Sequence, residues 1–396
     1  MKIKKGSALE GIKVLDLGRV IAAPFSAAML ADLGAEVIKI EVPVYGDNAR
    51  DNMPKKDGVS SYYVNFNRSK KGITLDLKKG KDVFLKMVKE ADIVVENFRP
   101  GVMEKLGIGY DELVKVNPSL IYASISGFGQ YGPYAERAGY DPIAQAMSGI
   151  MSVTGWPDTP PTRCGASVVD ILAGLNATVG ILSALQYRNR TGKGQMIDIS
   201  LQDVSIVGLS SVNQVFLTDR QVPYKRGNGY AAGAPGGSYK CKDGYVILMA
   251  LGEPAWVKFC KTIGKEELLK MDKFKENGLR AKNSAELDHI IEAWTLTMNV
   301  NEVVELLLNT GLPAGPILDI EQVYNNEHVK QREMFTTVNH PEVGDMEITN
   351  QGIKMSETSP FVRGCAPLLG QHNREIYNEF GFSDDEIDLL IKENII

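Results

Sequence analysis

Asp170 is the residue best placed to do chemistry, because it is a single acidic side chain at the start of an uncharged run. Apolar residues follow it at helical spacing with Gly and Ala between them, which predicts a closely packed, buried helix with Asp170 at its N-terminus. An Asp there can be an N-cap that accepts hydrogen bonds from free backbone N–H groups. The same donors could keep the carboxylate ionised in a site with little water, ready to attack an activated acyl group.

Alternating strands and helices must position this carboxylate. The apolar pattern predicts strands at 11–16 and 36–41 with a helix at 24–33 between them, which is a βαβ unit. The alternation continues with helices at 82–90 and from 102, and with strands at 93–96 and 121–126. This order is typical of a parallel sheet covered by helices, so the first ~200 residues predict a Rossmann-like α/β domain.

A change of composition marks a second domain. Residues 221–237 are rich in Gly, Ala, Pro and Asn, and a hairpin with an Asp-Gly turn is predicted at 238–249. Helices are predicted near 253–263, 267–271, 284–297 and 300–310. The Pro and Gly residues at 311–316 then predict a return crossing.

The composition excludes several classes of protein. A net charge of −5 with no basic block argues against a general nucleic-acid or anionic-membrane binder. The four Cys are isolated from one another and the four His form no ligand pair, so neither a metal site, a disulfide framework nor a Ser-His-Asp enzyme is indicated. With no signal peptide and no apolar run of 18 residues, we expect a soluble, cytoplasmic protein.

Dinucleotide binding is a further alternative for a Rossmann-like domain. Glu41 ends the second predicted strand, where an acid that binds ribose would lie. The turn after the first strand, residues 18–24, lacks the Gly-x-Gly-x-x-Gly pattern that lets the backbone approach a pyrophosphate. We therefore do not expect an NAD-dependent enzyme.

Short motifs follow one another along nearly the whole chain. They lie at 11–16, 33–41, 46–47, 95–101, 126–132, 191–195, 202–203, 312–316 and 367–372. Each is weak alone, but in this order the chain resembles the class III CoA-transferase family, which includes formyl-CoA transferase, carnitine CoA-transferase and the 2-hydroxyacyl CoA-transferases of anaerobic fermentation. The resemblance implies a large Rossmann-like CoA-binding domain from 1–224 plus 321–396, a smaller α+β domain from 225–320, and an interlocked homodimer. Residues 204–209 and the helix after Asp170 are candidates for the dimer core.

The resemblance also implies a site. The nucleophile of the family falls on Asp170, and coenzyme A enters as the acyl-CoA co-substrate without a metal. Tyr140 is a candidate to position substrate or pantetheine, and Gly236 and Gly237 fall in a glycine-rich lid over the active Asp. Contacts to CoA map onto Val20, Ala22, Leu75, Lys78, Asn97, Phe98, Arg99 and Lys105.

Two departures from the family pattern concern the CoA phosphates. Positions that are basic in some relatives are Val42 and Ala138 here. Phosphate binding must then use other cations, for which the candidates are Arg50, Arg68, Lys70, Lys71 and Arg137. A further departure is Tyr140 before Asp141, where the racemase branch of the family needs a His-Asp pair, so a racemase is not expected.

The chemistry implied is transfer of CoA from an acyl-CoA donor to a carboxylic acid, through an anhydride and then an aspartyl-CoA thioester on Asp170. A 2-hydroxy acid is the favoured acceptor. The alternatives are an acyl-CoA racemase, a carnitine- or formate-type CoA-transferase, and a CoA-binding scaffold without catalysis.

Overall fold

A computed structural model describes residues 4–230 and 233–396. The chain divides into two compact units. Unit 1 comprises the described part of Met1–Ile150, with Arg163–Leu217 and Glu327–Ile396; unit 2 comprises Met151–Thr162 and Thr218–Asn326. The unit boundaries lie six or seven residues from the expected 224/225 and 320/321, and no feature of the sequence indicated that Met151–Thr162 belongs to unit 2.

Unit 1 is built on a six-stranded parallel sheet with strand order β5-β2-β1-β6-β7-β8. This confirms the predicted α/β fold with a parallel central sheet. The strands of the whole described chain are β1 (Lys13–Asp16), β2 (Glu36–Glu41), β3 (Lys55–Lys56), β4 (Val59–Ser60), β5 (Lys71–Thr74), β6 (Ile93–Glu96), β7 (Ile121–Ser126), β8 (Met196–Ser200), β9 (Gly236–Lys240), β10 (Tyr245–Met249), β11 (Ala314–Pro316), β12 (Phe335–His340) and β13 (Gly344–Thr349).

Helices connect and cover these strands. They are α1 (Ala22–Asp32), α2 (Ser61–Asn67), α3 (Lys81–Val88), α4 (Val102–Lys105), α5 (Tyr110–Val116), α6 (Asp141–Ser148), α7 (Ile150–Val153), α8 (Val168–Thr191), α9 (Leu201–Gly208), α10 (Ser211–Asp219), α11 (Glu253–Thr262), α12 (Asn277–Lys282), α13 (Ser284–Thr295), α14 (Val300–Asn309), α15 (Ile320–Asn325), α16 (Glu327–Gln331), α17 (Asn373–Glu379) and α18 (Asp384–Lys392). Short 3-10 helices lie at Asn48–Asp51, Glu266–Lys270 and Asp272–Phe274.

Helices α1 and α8 pack together on one face of the sheet, in a core of small and branched residues. Gly174 makes this packing close, since a Cβ atom there would lie 2.8 Å from the Ala22 carbonyl oxygen and 2.7 Å from the Phe25 ring. Five alanines of α1 are buried, which leaves room for this approach. The packing fixes the first turns of α8 against the start of α1.

Helix α8 is long and apolar enough to cross a membrane, with a mean hydropathy of 1.8 over its best window. The helix reaches this average with polar residues such as Asn176 and Thr178 among its apolar ones. Core helices of soluble proteins meet the same criteria. The sequence predicted a buried helix, but only one face of α8 is buried: Val169, Ala173 and Ile181 are buried, whereas Leu175 and Val179 are exposed. A closely packed buried helix thus describes one face of α8.

Unit 2 contains the three-stranded antiparallel sheet β11-β10-β9 with α11 to α14. Its core is aromatic, with Trp256, Phe259 and Phe274 fully buried. The β9–β10 pair is the predicted hairpin. Gly236 and Gly237 lie in β9 and pair with Met249 and Leu248, rather than in an open loop.

Candidate active site

Asp170 is the third residue of α8 and is not its N-cap. Ser167 occupies the N-cap position and makes no side-chain capping hydrogen bond. The backbone N–H groups of Val169 and Asp170 instead donate to the carboxylate of Asp141, at 2.8 and 3.3 Å. A residue of helix α6 therefore provides the capping that the sequence suggested Asp170 would provide.

A second residue of α6 holds this arrangement in place. Gln145 is buried, and its Nε2 donates to the other carboxylate oxygen of Asp141 at 2.6 Å. The Gln145 Oε1 accepts a hydrogen bond from the Cys164 backbone N–H at 2.8 Å. The start of α8, the segment before it and α6 are thus joined through two buried side chains.

Burial, and after it the nearby charge of Asp141, together raise the pKa of Asp170 to about 7. The expectation that helix donors keep this carboxylate ionised was wrong, because Asp141 accepts those donors. A carboxylate whose environment opposes its charge is typical of functional sites. Above a pH of about 7 this carboxylate is mostly ionised.

The raised pKa carries a cost in stability that a substitution can reveal. The folded-state pKa lies above the ordinary value of 3.8, so the folded protein binds the extra proton and loses stability as pH rises from about 4 to about 7. We expect Asp170→Asn to increase the free energy of unfolding at pH 8 by about 2 kcal/mol, and by much less at pH 5. Denaturant unfolding at the two pH values measures this; an equal effect at both would contradict it.

Asp170 lies in a cleft of about 270 Å³. The cleft opens at the carboxyl ends of β1, β6 and β7, next to the point between β1 and β6 where the strand order reverses, which is where open α/β sheets bind ligands. Its volume is at the lower end for a drug-sized ligand, so it suits one end of a long molecule. The lining residues are Arg19, Val20, Ile21, Ala22, Asn48, Asn97, Phe98, Arg99, Pro100, Ile125, Ser126, Gly127, Arg137, Ala138, Gly139, Tyr140, Asp170 and Leu201.

The structure brings together most of the site residues named from the sequence. Val20, Ala22, Asn97, Phe98, Arg99 and Tyr140 line the cleft with Asp170. Tyr140 is 67% exposed, so it is not part of the core.

Leu75, Lys78 and Lys105 do not line this cleft. The Leu75 side chain is buried in the core, and its backbone N–H donates to the Glu41 carbonyl oxygen. Lys78 and Lys105 are exposed. That Lys78 and Lys105 contact CoA stays a prediction, and it concerns a part of CoA that would extend beyond the cleft.

Of the five alternative phosphate cations, four are committed to carboxylates. Arg50 pairs with Glu41, Arg68 with Asp32, Lys70 with Asp16, and Lys71 with Glu36 and Glu375. Arg137 lines the cleft, with its guanidinium 3.8 Å from the centre of the Tyr134 ring. It is the member of this set that the structure supports.

Two residues of the site were missed from the sequence. Arg19 lines the cleft and its guanidinium stacks on the Phe98 ring at 5.0 Å; its place beside Val20 was the available signal. Tyr62, in α2, has its pKa raised by burial and then by the charges of Asp170 and Asp47. The Tyr62 phenol therefore stays protonated near the Asp170 carboxylate, and no sequence pattern links the two residues.

Gly236 and Gly237 line a separate cleft of about 440 Å³ within unit 2. Trp156, Tyr224 and Tyr230 contribute aromatic side chains to it. The role of the two glycines in a lid stays a prediction. No group of three or more His, Cys, Asp or Glu side chains in the described residues is placed to bind a metal ion.

Comparison with known proteins places this geometry in a family. The chain is 35% identical to the succinyl-CoA–D-citramalate CoA-transferase of Chloroflexus aurantiacus, covering 98% of both chains, and 35% identical to the formyl-CoA:oxalate CoA-transferase of Streptomyces coelicolor, covering 98% of this chain and 99% of that one. It is 36% identical to the succinyl-CoA:glutarate CoA-transferase of Mus musculus, over 98% of this chain and 90% of the other.

A crystal structure of a CAIB/BAIF family protein from Brucella suis superposes with a TM-score of 0.84 at 36% identity, over 95% of this chain and all of that chain. The model of CoA-transferase family III matches residues 9–373. The family model, the named relatives and the fold of the solved structure all agree. The chain therefore belongs to CoA-transferase family III.

Proposed function

We propose that this protein transfers CoA from an acyl-CoA to a carboxylic acid through covalent intermediates on Asp170. The observation that supports this most is the half-buried Asp170 carboxylate, with its raised pKa, in a cleft lined by Arg19, Arg99 and Arg137. None of these arginines forms an ion pair with a carboxylate in the described part of the chain, so their charges are available to an anionic ligand. The arrangement matches a nucleophile beside a binding site for a phosphorylated thioester.

The reaction proceeds by acyl transfer. An Asp170 oxygen attacks the thioester carbonyl carbon, the carbon–sulfur bond breaks, and the products are a mixed anhydride and CoA thiolate. The thiolate attacks the Asp170 carbonyl carbon of the anhydride, which releases the first acid as its carboxylate and leaves an aspartyl-CoA thioester. The acceptor carboxylate attacks this thioester to form a second anhydride, and the returning thiolate attacks its acyl carbon, which gives the new acyl-CoA and free Asp170.

Each attack develops an oxyanion that needs a donor. The Tyr62 phenol stays protonated and lies near enough to Asp170 for their charges to interact, so it is a candidate donor. The backbone N–H groups of Val169 and Asp170 are occupied by Asp141 and are poor candidates. Tyr140, exposed at the cleft, is a candidate to position the substrate.

A 2-hydroxy acid is the favoured acceptor. The relatives are named for citramalate, glutarate and oxalate, which are all dicarboxylic acids, and citramalate also has a hydroxyl group on the carbon next to a carboxylate. This combination supports an acceptor with a 2-hydroxyl and a second carboxylate. An arginine of the cleft could bind that second carboxylate in bidentate geometry.

We further propose a cytoplasmic homodimer. Val179 on α8 and Val207 on α9 are 64% and 75% exposed, and both lie in unit 1 on the helices that the sequence named as a dimer core. Burial of these apolar side chains by a second copy of the chain would stabilise the assembly. A lid that includes Gly236 and Gly237 would protect the anhydride from water.

Incubation of the protein with succinyl-CoA and a panel of acids tests the function. The panel contains citramalate, its analogue without the hydroxyl, glutarate, oxalate and a monocarboxylic 2-hydroxy acid, and new acyl-CoA products are separated by chromatography. We expect transfer to citramalate-like acids at the highest kcat/KM. Absence of any new thioester with all acids would contradict transfer, and exchange of the α-hydrogen with deuterated water would favour a racemase.

Replacement of two of the cleft arginines should weaken acyl-CoA binding without slowing the reaction of bound substrate. Each of Arg99→Ala and Arg137→Ala removes a charged donor to a phosphate and should raise the KM for acyl-CoA by about 10- to 100-fold, with kcat within about threefold of the wild type. Arg374→Ala, which removes an exposed arginine paired with Asp384 and Asp388, is the control. Steady-state kinetics measure both constants; a fall in kcat with unchanged KM would show that these side chains do not bind the phosphates.

A further inference from the structure

The loop between β1 and α1 is held by side chains at every backbone polar group from the Gly18 N–H to the Val20 N–H. The Gly18 N–H donates to Asp16 at 2.8 Å, and its carbonyl oxygen accepts from Lys39. Asn97 binds both backbone groups of Arg19, at 2.7 and 2.8 Å. The Val20 N–H donates to both carboxylate oxygens of Asp47, at 3.2 and 3.3 Å. Four side chains from separate segments thus fix the backbone of three residues that belong to no helix or strand.

Three of these side chains, Asp16, Lys39 and Asp47, belong to buried ion pairs. Lys39 Nζ lies 3.0 Å from Asp47 Oδ2, and Lys70 Nζ lies 2.7 Å from Asp16 Oδ2. All four side chains are at most 1% exposed. The charges balance, yet buried ion pairs are seldom more stable than well-packed apolar residues of similar volume, because both ions lose their hydration. Stability alone is therefore a weak reason for this cluster, which calls for another role.

The backbone of Val20 shows what the cluster holds. Its φ angle is +67°, a left-handed conformation that is rare for a β-branched residue. Such a conformation persists only where the surroundings determine it strongly, and it is frequent at ligand sites. Two hydrogen bonds hold the backbone in this conformation, one on each side of Arg19. The Val20 N–H donates to Asp47, and Lys39 donates to the Gly18 carbonyl oxygen.

This loop also lines the cleft of Asp170. Arg19, Val20, Ile21 and Ala22 are all lining residues, and the Ala22 carbonyl oxygen lies against Gly174, one turn of α8 beyond Asp170. Two kinds of contact therefore fix the loop relative to Asp170: helix packing holds Ala22 against α8, and the buried charged side chains hold residues 18–20. Motion at Val20 would move the wall of the cleft relative to the Asp170 carboxylate.

We infer that the buried Lys39–Asp47 pair is a positioning device, which holds the 18–20 loop so that the acyl-CoA thioester meets the Asp170 carboxylate. This inference rests on the proposed function. Neither Lys39 nor Asp47 lines the cleft, so both act through the loop and not by contact with substrate. The loss expected on their replacement is in the rate of the covalent step more than in affinity for CoA.

The test replaces the pair as a unit, because removal of one partner alone would leave a buried charge unpaired. We expect Lys39→Met with Asp47→Leu to slow formation of the covalent adduct on Asp170 by about 10- to 100-fold at saturating acyl-CoA, since small misplacements of reacting groups have effects of this size. The rate is measured by rapid quenching and mass spectrometry, and the CoA dissociation constant by calorimetry. The dissociation constant should change by less than about threefold.

A matched control is the buried pair of Arg68 and Asp32, whose side chains are 3% and 0% exposed and which does not touch the 18–20 loop. Arg68→Met with Asp32→Leu should change thermal stability as much as the test variant, with an adduct rate within about twofold of the wild type. Adding Val20→Gly to the test variant should recover at least about threefold of the rate, because glycine adopts a positive φ without strain. A purely structural pair predicts no such recovery.

The outcomes separate this inference from the proposed function. If the wild type forms no adduct on Asp170, the proposed function fails and the inference falls with it. If the wild type forms the adduct and the test variant does so at an unchanged rate, only the inference is overturned. Should the double variant not fold, Lys39→Gln with Asp47→Asn removes both charges together and preserves an acceptor for the Val20 N–H; a rate lowered by at least about threefold supports the inference, and an unchanged rate overturns it.

Discussion

Asp170→Ala should reduce the rate of CoA transfer by about 10⁴-fold or more, which is the scale of loss when an enzyme loses its nucleophile. The fold should survive, because the hydrogen bonds at the start of α8 are made by Asp141 and by backbone groups that the substitution leaves in place. Binding of CoA should also survive, since the cleft arginines do not depend on Asp170. Initial rates of product formation measure the loss, and mass spectrometry after hydroxylamine treatment locates the adduct in the wild type.

Asp92→Asn is the matched control for this loss. Asp92 is a half-buried carboxylate that precedes β6, at the end of the sheet opposite the cleft, where it binds Arg188 and the backbone of Lys13. Its replacement should leave the transfer rate within about threefold of the wild type. Transfer by Asp170→Ala at a rate close to the wild type would show that another group forms the covalent intermediate.

The rate of transfer should also rise with pH, because it depends on the ionisation of Asp170. Asp170 must be ionised to attack, and burial followed by the Asp141 charge raises its pKa to about 7. We expect kcat/KM to fall about tenfold per pH unit below that value and to level off above it. Initial rates between pH 5 and 9, at constant ionic strength, give the profile.

Asp141→Asn separates the two causes of the raised pKa. Removal of the neighbouring negative charge should lower the pKa of Asp170 and move the acid limb of the profile to lower pH, while the effect of burial stays. The Asn side-chain oxygen can still accept from the N–H groups of Val169 and Asp170, so the helix start is preserved. An unmoved acid limb would show that Asp141 does not influence the ionisation of Asp170; Asp92→Asn again serves as control.

Much of the framework was predictable because local patterns determine it. Strands β2, β6 and β7 have the predicted bounds, since each contains buried Ile or Val residues and ends on a polar residue. The position of Asp170 in the first turn of a long helix followed from the uncharged run after it. Val20, Ala22, Asn97, Phe98 and Arg99, which the motifs named, line one cleft with Asp170, and their contacts with CoA stay predictions.

The electrostatics could not be predicted, because they depend on pairs far apart in the chain. The Asp141 carboxylate binds N–H groups 28 and 29 residues away, and this contact changes both the cap of α8 and the ionisation of Asp170. Arg50, Arg68, Lys70 and Lys71 looked like free cations until their carboxylate partners were seen. Sequence patterns report the type of a side chain but not what it pairs with.

The cap that α6 provides for α8 has a consequence for the order in which the protein matures. Ser167 makes no capping bond, so the first turn of α8 depends on Asp141 and on Gln145, which orients it. Before α6 docks, Asp170 is an ordinary, hydrated carboxylate with an ordinary pKa. The raised pKa of Asp170 is therefore a property of the assembled protein, and it is absent from folding intermediates in which α6 and α8 have not yet come together.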